Sequence, residues 1–137
     1  MAFFKALIVE DNVHFRQTLR DILSNRFPFM VIEEAEDGKE ALQKVDAFAP
    51  DLIFMDIKLP GESGLQLTQK IKSSHPEMLV VVLTSYDLPE YREAAFQLGA
   101  NYFIVKGSSQ NGEILTLVKS ILEDSGFDAD GSKGKKV

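Results

Sequence analysis

Leu52-Ile53-Phe54-Met55-Asp56 is the stretch that decides how this chain is read. Four apolar side chains in succession suit a strand covered on both faces, as in a parallel sheet between two helix layers. A carboxylate that ends such a run is carried to the rim of the sheet, partly desolvated and facing whatever binds there. Three other apolar runs end in polar residues. Ala6-Leu7-Ile8-Val9 leads into Glu10-Asp11, Leu79-Val80-Val81-Val82-Leu83 into Thr84, and Phe103-Ile104-Val105 into Lys106. Parallel strands finish at a common rim, so three acids, one hydroxyl and one ammonium are expected to converge on one pocket. Such a set suits a divalent cation and a phosphoryl group.

On either side of it, strand-like and helix-like stretches alternate along the chain. Strands are expected at 4–9, 30–35, 51–55, 78–83 and 101–105, and helices at 13–26, 39–48, 64–74, 88–98 and 111–123. Asn12 is the expected N-cap of the first helix. Pro28, Pro50 and Pro76 interrupt the helical pattern, and Gly99 is placed to stop the fourth helix. Alternation of this kind predicts βαβ units around a parallel sheet. The second strand is the least apolar and suits a sheet edge. Ser125 to Val137 is polar and glycine-containing, so residues 124–137 are expected to be a disordered tail or the start of a linker, after a single domain over 1–123.

Composition narrows the function. The chain has 137 residues, 45% of them hydrophobic, and no cysteine, which excludes disulfides and thiolate metal sites. A net charge of −6 opposes attraction to nucleic-acid phosphates. No apolar run approaches the roughly 20 residues of a membrane helix, and the first residues do not read as a signal peptide. A soluble cytoplasmic protein is expected. His14 and His75 have no partner at metal-ligand spacing, and Gly61-Glu62-Ser63-Gly64 lacks the ending of a phosphate-binding P-loop.

In an open α/β sheet, ligands bind beyond the carboxyl ends of the strands where the strand order reverses. For a flavodoxin-like (βα)5 three-layer sandwich of order 2-1-3-4-5, the reversal lies between the first and third strands. Those strands end in Glu10-Asp11 and in Asp56. Two carboxylates about 4 Å apart repel by about 4 kcal/mol at an effective dielectric of about 20, and a hard divalent cation removes that repulsion. With a cation and Lys106 in place, Asp56 can act as a nucleophile and form an acyl phosphate.

Over about residues 3–122 the chain resembles the receiver (CheY-like) domains of two-component response regulators. The motifs are Val9-Glu10-Asp11-Asn12, Ala35-Glu36-Asp37-Gly38, Asp51 through Asp56, Leu59-Pro60-Gly61 with Gly64, Leu83-Thr84-Ser85, and Gly99-Ala100 through Lys106. The resemblance implies Asp56 as phosphoacceptor and Mg2+ (Mn2+ as the alternative) held by Glu10, Asp11, Asp56 and the backbone carbonyl of Lys58. It further implies that Thr84 and Lys106 contact the phosphoryl group and that Phe103 is the switch aromatic. Lys58 and Tyr86 occupy positions that tune dephosphorylation, and bulky Tyr86 is expected to shield the acyl phosphate from water. Gly107 stands where many receivers have proline.

Thr84-Ser85-Tyr86-Asp87 and Lys106-Gly107-Ser108-Ser109 look most like the NarL/LuxR-type transcription regulators. The resemblance implies a sensor histidine kinase as partner, homodimerisation on phosphorylation, and contact with DNA only through an output domain absent from this chain. A stand-alone receiver is the alternative. A magnesium-dependent phosphohydrolase is a weaker one, because phosphoaspartyl phosphatases need a second aspartate where this chain has Lys58. A self-phosphorylating and self-dephosphorylating switch is expected, not a turnover enzyme. Phe15, Leu115 and Leu122 are candidates for a dimer patch on the first and last helices.

Overall fold

The computed structural model describes residues 3–107 and 110–127. The apolar runs form five parallel strands: β1 (Phe4–Val9), β2 (Met30–Ala35), β3 (Leu52–Asp56), β4 (Leu79–Thr84) and β5 (Tyr102–Val105). Their order is β2-β1-β3-β4-β5. Helices α1 (Val13–Arg26), α2 (Gly38–Phe48), α3 (Gly64–Ser74), α4 (Pro89–Gln97) and α5 (Gln110–Asp124) make the connections. The weakly apolar β2 is an edge strand, as its composition predicts, and Val31 on it is exposed.

Side chains alternate across the strands and supply two cores. Ala6 and Ile8 of β1 pack with Phe54, Val81 and Ile104 beneath α1 and α5, which contribute Leu19, Leu23, Ile114 and Val118. Leu7 and Val9 pack with Ile53, Met55, Val80 and Val82 beneath α2, α3 and α4, through Val45, Leu67, Ile71 and Ala95. Both faces of the central strands are therefore covered, which is why their runs are continuously apolar.

Local chemistry sets the helix ends. The side chain of Asn12 accepts the Phe15 N–H at 2.9 Å, and that of Asp37 accepts the Glu40 N–H at 2.9 Å. The Glu40 carboxylate accepts the Glu36 N–H in return, so donors on both sides of that helix start are satisfied. Ser63 caps α3. Leu88 offers no side-chain cap for α4, which starts instead at Pro89, a residue whose φ suits the first helical position. Gly99 ends that helix with φ +108°.

The packed fold extends past the boundary expected from sequence. α5 runs through Asp124, and Phe127 is buried against Phe4 and Phe29. A single aromatic in a polar stretch is enough to dock the chain once a hydrophobic surface lies within reach. Residues 128–137 of the expected tail lie outside the described residues. Leu122 is also core, while Phe15 and Leu115 are half-buried against it. The candidate dimer patch thereby loses Leu122 to the interior.

Candidate functional site

The register brings the strand ends to one level. Val9 pairs with Ala35 and Met55, Asp56 with Leu83, and Thr84 with Val105. The polar residues that follow each run must then project from the same rim. Glu10, Asp11 and Asp56 each place a carboxylate oxygen within 4.8 Å of the others. Lys106, 96 residues after Glu10, donates from Nζ to Glu10 Oε1 at 2.6 Å and lies 3.6 Å from Asp56 Oδ2. These four side chains border a cleft of about 330 Å³ together with Asn12, Lys58, Ser85 and Tyr86.

Within the cleft the acids differ in setting. Glu10 is 2% exposed; its Oε2 accepts the Asn12 N–H at 3.1 Å. Asp11 is exposed. Asp56 is 7% exposed, and its carboxyl is pushed up from 3.8 to about 7. Desolvation is the main cause, the Glu10 charge adds to it, and the Lys106 ammonium works against it. Lys106, the ammonium in contact with the acids, does not offset three carboxylates. The donors are all oxygens, which suits a hard cation of the Mg2+ or Mn2+ type over a soft one. The cluster thus has the composition and the spacing to hold a divalent metal ion.

Thr84 is fully buried below the cleft, where its Oγ1 accepts the Tyr86 N–H at 3.1 Å. Phe103 lies away from the acids, buried in the α2–α3–α4 core with the Arg92 guanidinium 4.9 Å above its ring. It borders a larger cavity of about 820 Å³ formed with Arg92, Phe96, Tyr102 and Leu117. Two groups flank the mouth of the acidic cleft, the Lys58 ammonium lying 5.1 Å from the centre of the Tyr86 ring. His14 is exposed, and His75 faces Asp46 and Glu77 on the surface.

Several supporting residues act through contacts that the sequence around them does not announce. Phe15 lies under Lys106, whose Nζ is 4.2 Å from the ring centre. Gly64 presses on the end of β3: a Cβ there would fall 1.8 Å from the Asp56 carbonyl oxygen, and its N–H donates to the Ile57 carbonyl. Arg16 Nη1 donates to the Glu10 carbonyl at 2.6 Å while its Nε donates to Glu34 Oε1 at 2.8 Å. The other Glu34 oxygen takes Arg20 Nη1. Desolvation works to raise the Glu34 carboxyl, but the hydrogen bonds and charges of Arg16 and Arg20 outweigh it and hold the group below its ordinary value.

A parallel 2-1-3-4-5 sheet with an acid cluster at its switch point and a lysine after the last strand defines a class. Residues 6–119 match the family model for the response regulator receiver domain, and the chain belongs to that family. It is 36% identical over 118 residues to the oxygen regulatory protein NreC of Staphylococcus haemolyticus, a match covering 85% of this chain and 54% of that protein. NreC of Staphylococcus aureus is likewise 36% identical, over 114 residues, covering 82% and 52%. The chain therefore spans about half the length of the curated relatives it matches. Among solved structures, the signal receiver domain of the putative response regulator NarL from Mycobacterium tuberculosis has a TM-score of 0.80 at 27% identity, covering 90% of this chain and 98% of that one. A LuxR-family two-component response regulator from Aurantimonas sp. SI85-9A1 has a TM-score of 0.81 at 25% identity, covering 90% and 87%. Among the described residues, no helix is long and apolar enough to cross a membrane.

Proposed function

We propose that this receiver domain takes a phosphoryl group onto Asp56 from a phosphohistidine of a sensor kinase, or from a small acyl phosphate, and thereby changes the affinity of a surface elsewhere on the domain. The observation that carries this reading is the convergence of Glu10, Asp11, Asp56 and Lys106 on one cleft at the sheet's switch point. An Asp56 oxygen attacks phosphorus as the donor's P–N bond breaks. The electron pair stays on the imidazole nitrogen, which takes up a proton, and the carboxylate becomes a mixed anhydride. Mg2+ would be held by Asp11 and Asp56, with Glu10 and the backbone carbonyl of Lys58 completing the protein's share. When bound, the cation offsets carboxylate repulsion and neutralises phosphoryl oxygens.

Lys106 is close enough to Asp56 to exchange its bond to Glu10 for one to the phosphoryl group. Thr84 would turn its hydroxyl toward the phosphate, and Phe103 would move into the space released. Tyr86 and Lys58 flank the cleft and would limit the access of water to the acyl phosphate. The partner-binding face would be that of α4, β5 and α5, where Phe103 borders the larger cavity. Phosphate contacts then shift a population between two states, by no more than the difference in contacts between them. In a cell the domain would work in the cytoplasm, with homodimerisation on phosphorylation and DNA contact through an output domain. That transcriptional role is supported by the likeness to NarL- and LuxR-type regulators.

The decisive test is intact-protein mass spectrometry after incubation with acetyl phosphate and Mg2+. The wild type should gain one phosphoryl mass and Asp56→Asn none. A mutant that still gains it would remove the assignment.

A further inference from the structure

We infer that Arg16 is a positioning residue of the acidic cleft: its guanidinium, clamped by Glu34, holds the Glu10 carbonyl and so sets the direction of the Asp11 carboxylate. The inference rests on the reading that Asp11 is a cation ligand.

The peptide joining Glu10 to Asp11 is pinned from two directions. The Glu10 N–H donates to the Ala35 carbonyl at 2.9 Å, extending the pairing of β1 with β2 past the last strand residue. The Glu10 carbonyl accepts Arg16 Nη1 at 2.6 Å. Glu10's own side chain is fixed by Lys106 and by the Asn12 N–H. Asp11 is different: its side chain is exposed and has no hydrogen bond or ion pair to any described residue. Only the backbone on either side aims it. Rotating the Glu10–Asp11 peptide would swing the Asp11 carboxylate away from Asp56.

Arg16 is built to resist that rotation. It lies one turn beyond the cap of α1, its N–H bonded to the Asn12 carbonyl. Its side chain is 14% exposed. The bond from Nε to Glu34 fixes the plane of the guanidinium, and Glu34 is fixed in turn by Arg20 and, through its own carbonyl, by Lys44 at 2.5 Å. A planar fork that contacts two acceptors has little freedom left. Outer contacts of this kind orient metal ligands and contribute to affinity without touching the ion.

A purely electrostatic role predicts the opposite sign. Arg16 brings positive charge toward a cation site, so removing it with no change in geometry should tighten cation binding. Loss of positioning should weaken it.

The experiment is calorimetric titration of Mg2+ into the full chain, at low and high salt, with far-UV circular dichroism on each variant. Arg16→Ala is expected to raise the Mg2+ Kd about 10-fold, with the ratio kept at high salt. Arg20→Ala cuts the same tie between α1 and β2 but leaves the Glu10 carbonyl bonded. Its Kd should stay within about twofold of wild type. An unchanged or tighter Kd for Arg16→Ala overturns the inference, and so does an equal loss in Arg20→Ala. Should Arg16→Ala fail to fold, Arg16→Lys carries the test, because it keeps the charge but loses the planar fork that bonds Glu34 and the Glu10 carbonyl together. Weaker Mg2+ binding is then expected, and an unchanged Kd overturns the role. A wild-type chain that takes up no Mg2+ defeats the metal reading itself and this role with it.

Discussion

The two rims of the sheet are built on opposing physics. At the N-terminal rim, Phe127 meets Phe4 edge-on at 5.7 Å and stacks on Phe29 at 5.9 Å, with Phe27 beside Phe29 at 6.2 Å. These contacts are apolar, the charge nearest them being the Arg26 guanidinium on the outer side of Phe27, and burial of each ring favours folding. At the C-terminal rim, three carboxylates share a cleft with the Lys106 ammonium, and Lys58 stands at its mouth. Burying Asp56 beside Glu10 raises its pKa to about 7, the mark of a charge that opposes folding. One rim holds the chain together; the other holds like charges close, as the proposed cation site requires.

Substitutions at each rim test this difference. The largest effect is expected from Gly64→Ala, since backbone at 1.8 Å from the new methyl cannot yield without moving β3 or α3. A loss above about 3 kcal/mol should appear in urea unfolding, as for other severe overpacking. A near-neutral result would show that the acidic rim is looser than its geometry implies. Phe127→Ala should cost about 3 kcal/mol, the low end for a buried phenylalanine because the last turn can fray. Its Mg2+ affinity should match wild type, and a changed affinity would show that the rims are coupled.

Asp56→Asn should have the reverse sign. An acid whose pKa rises from 3.8 to about 7 on folding binds a proton between those values, so stability falls as the pH climbs through that window. With chelator present, the neutral amide should stabilise the protein at about pH 8 by on the order of 1–2 kcal/mol, read as a higher Tm. That gain should shrink toward about pH 4, where both forms are uncharged. A Tm lowered at every pH would mean that Lys106 and the backbone already stabilise the carboxylate. The smallest effect belongs to Phe15→Leu, which removes the ring under Lys106. It should change stability by no more than about 1 kcal/mol. It should also slow phosphorylation by acetyl phosphate severalfold, and an unchanged rate would show that Glu10 alone seats the lysine.

The acids of the cleft were legible because each follows an apolar run, and a strand end is a local property. The same logic located Thr84 and Lys106, and put β2 at the edge. What escaped was the long-range contacts made by backbone or by a residue with an ordinary local role. Arg16 reads as a polar position on an amphipathic helix, Phe15 as a candidate for a dimer patch, and Gly64 as one residue of a loop motif, with no sign of what its backbone touches. Phe127 was absorbed into its polar surroundings, so the fold was expected to stop before it.

The order of strands and helices, the switch point and the identity of the acids follow from the chain alone, because period, punctuation and strand-end chemistry are written within a few residues. The choice of Lys106 to bond Glu10, the grip of Arg16 on a carbonyl, the pressure of Gly64 on β3 and the docking of Phe127 were decided only by tertiary structure. Those contacts join residues up to 123 positions apart, and nothing in the few residues around either partner announces the other. Only the packing of helices on the sheet brings them within reach.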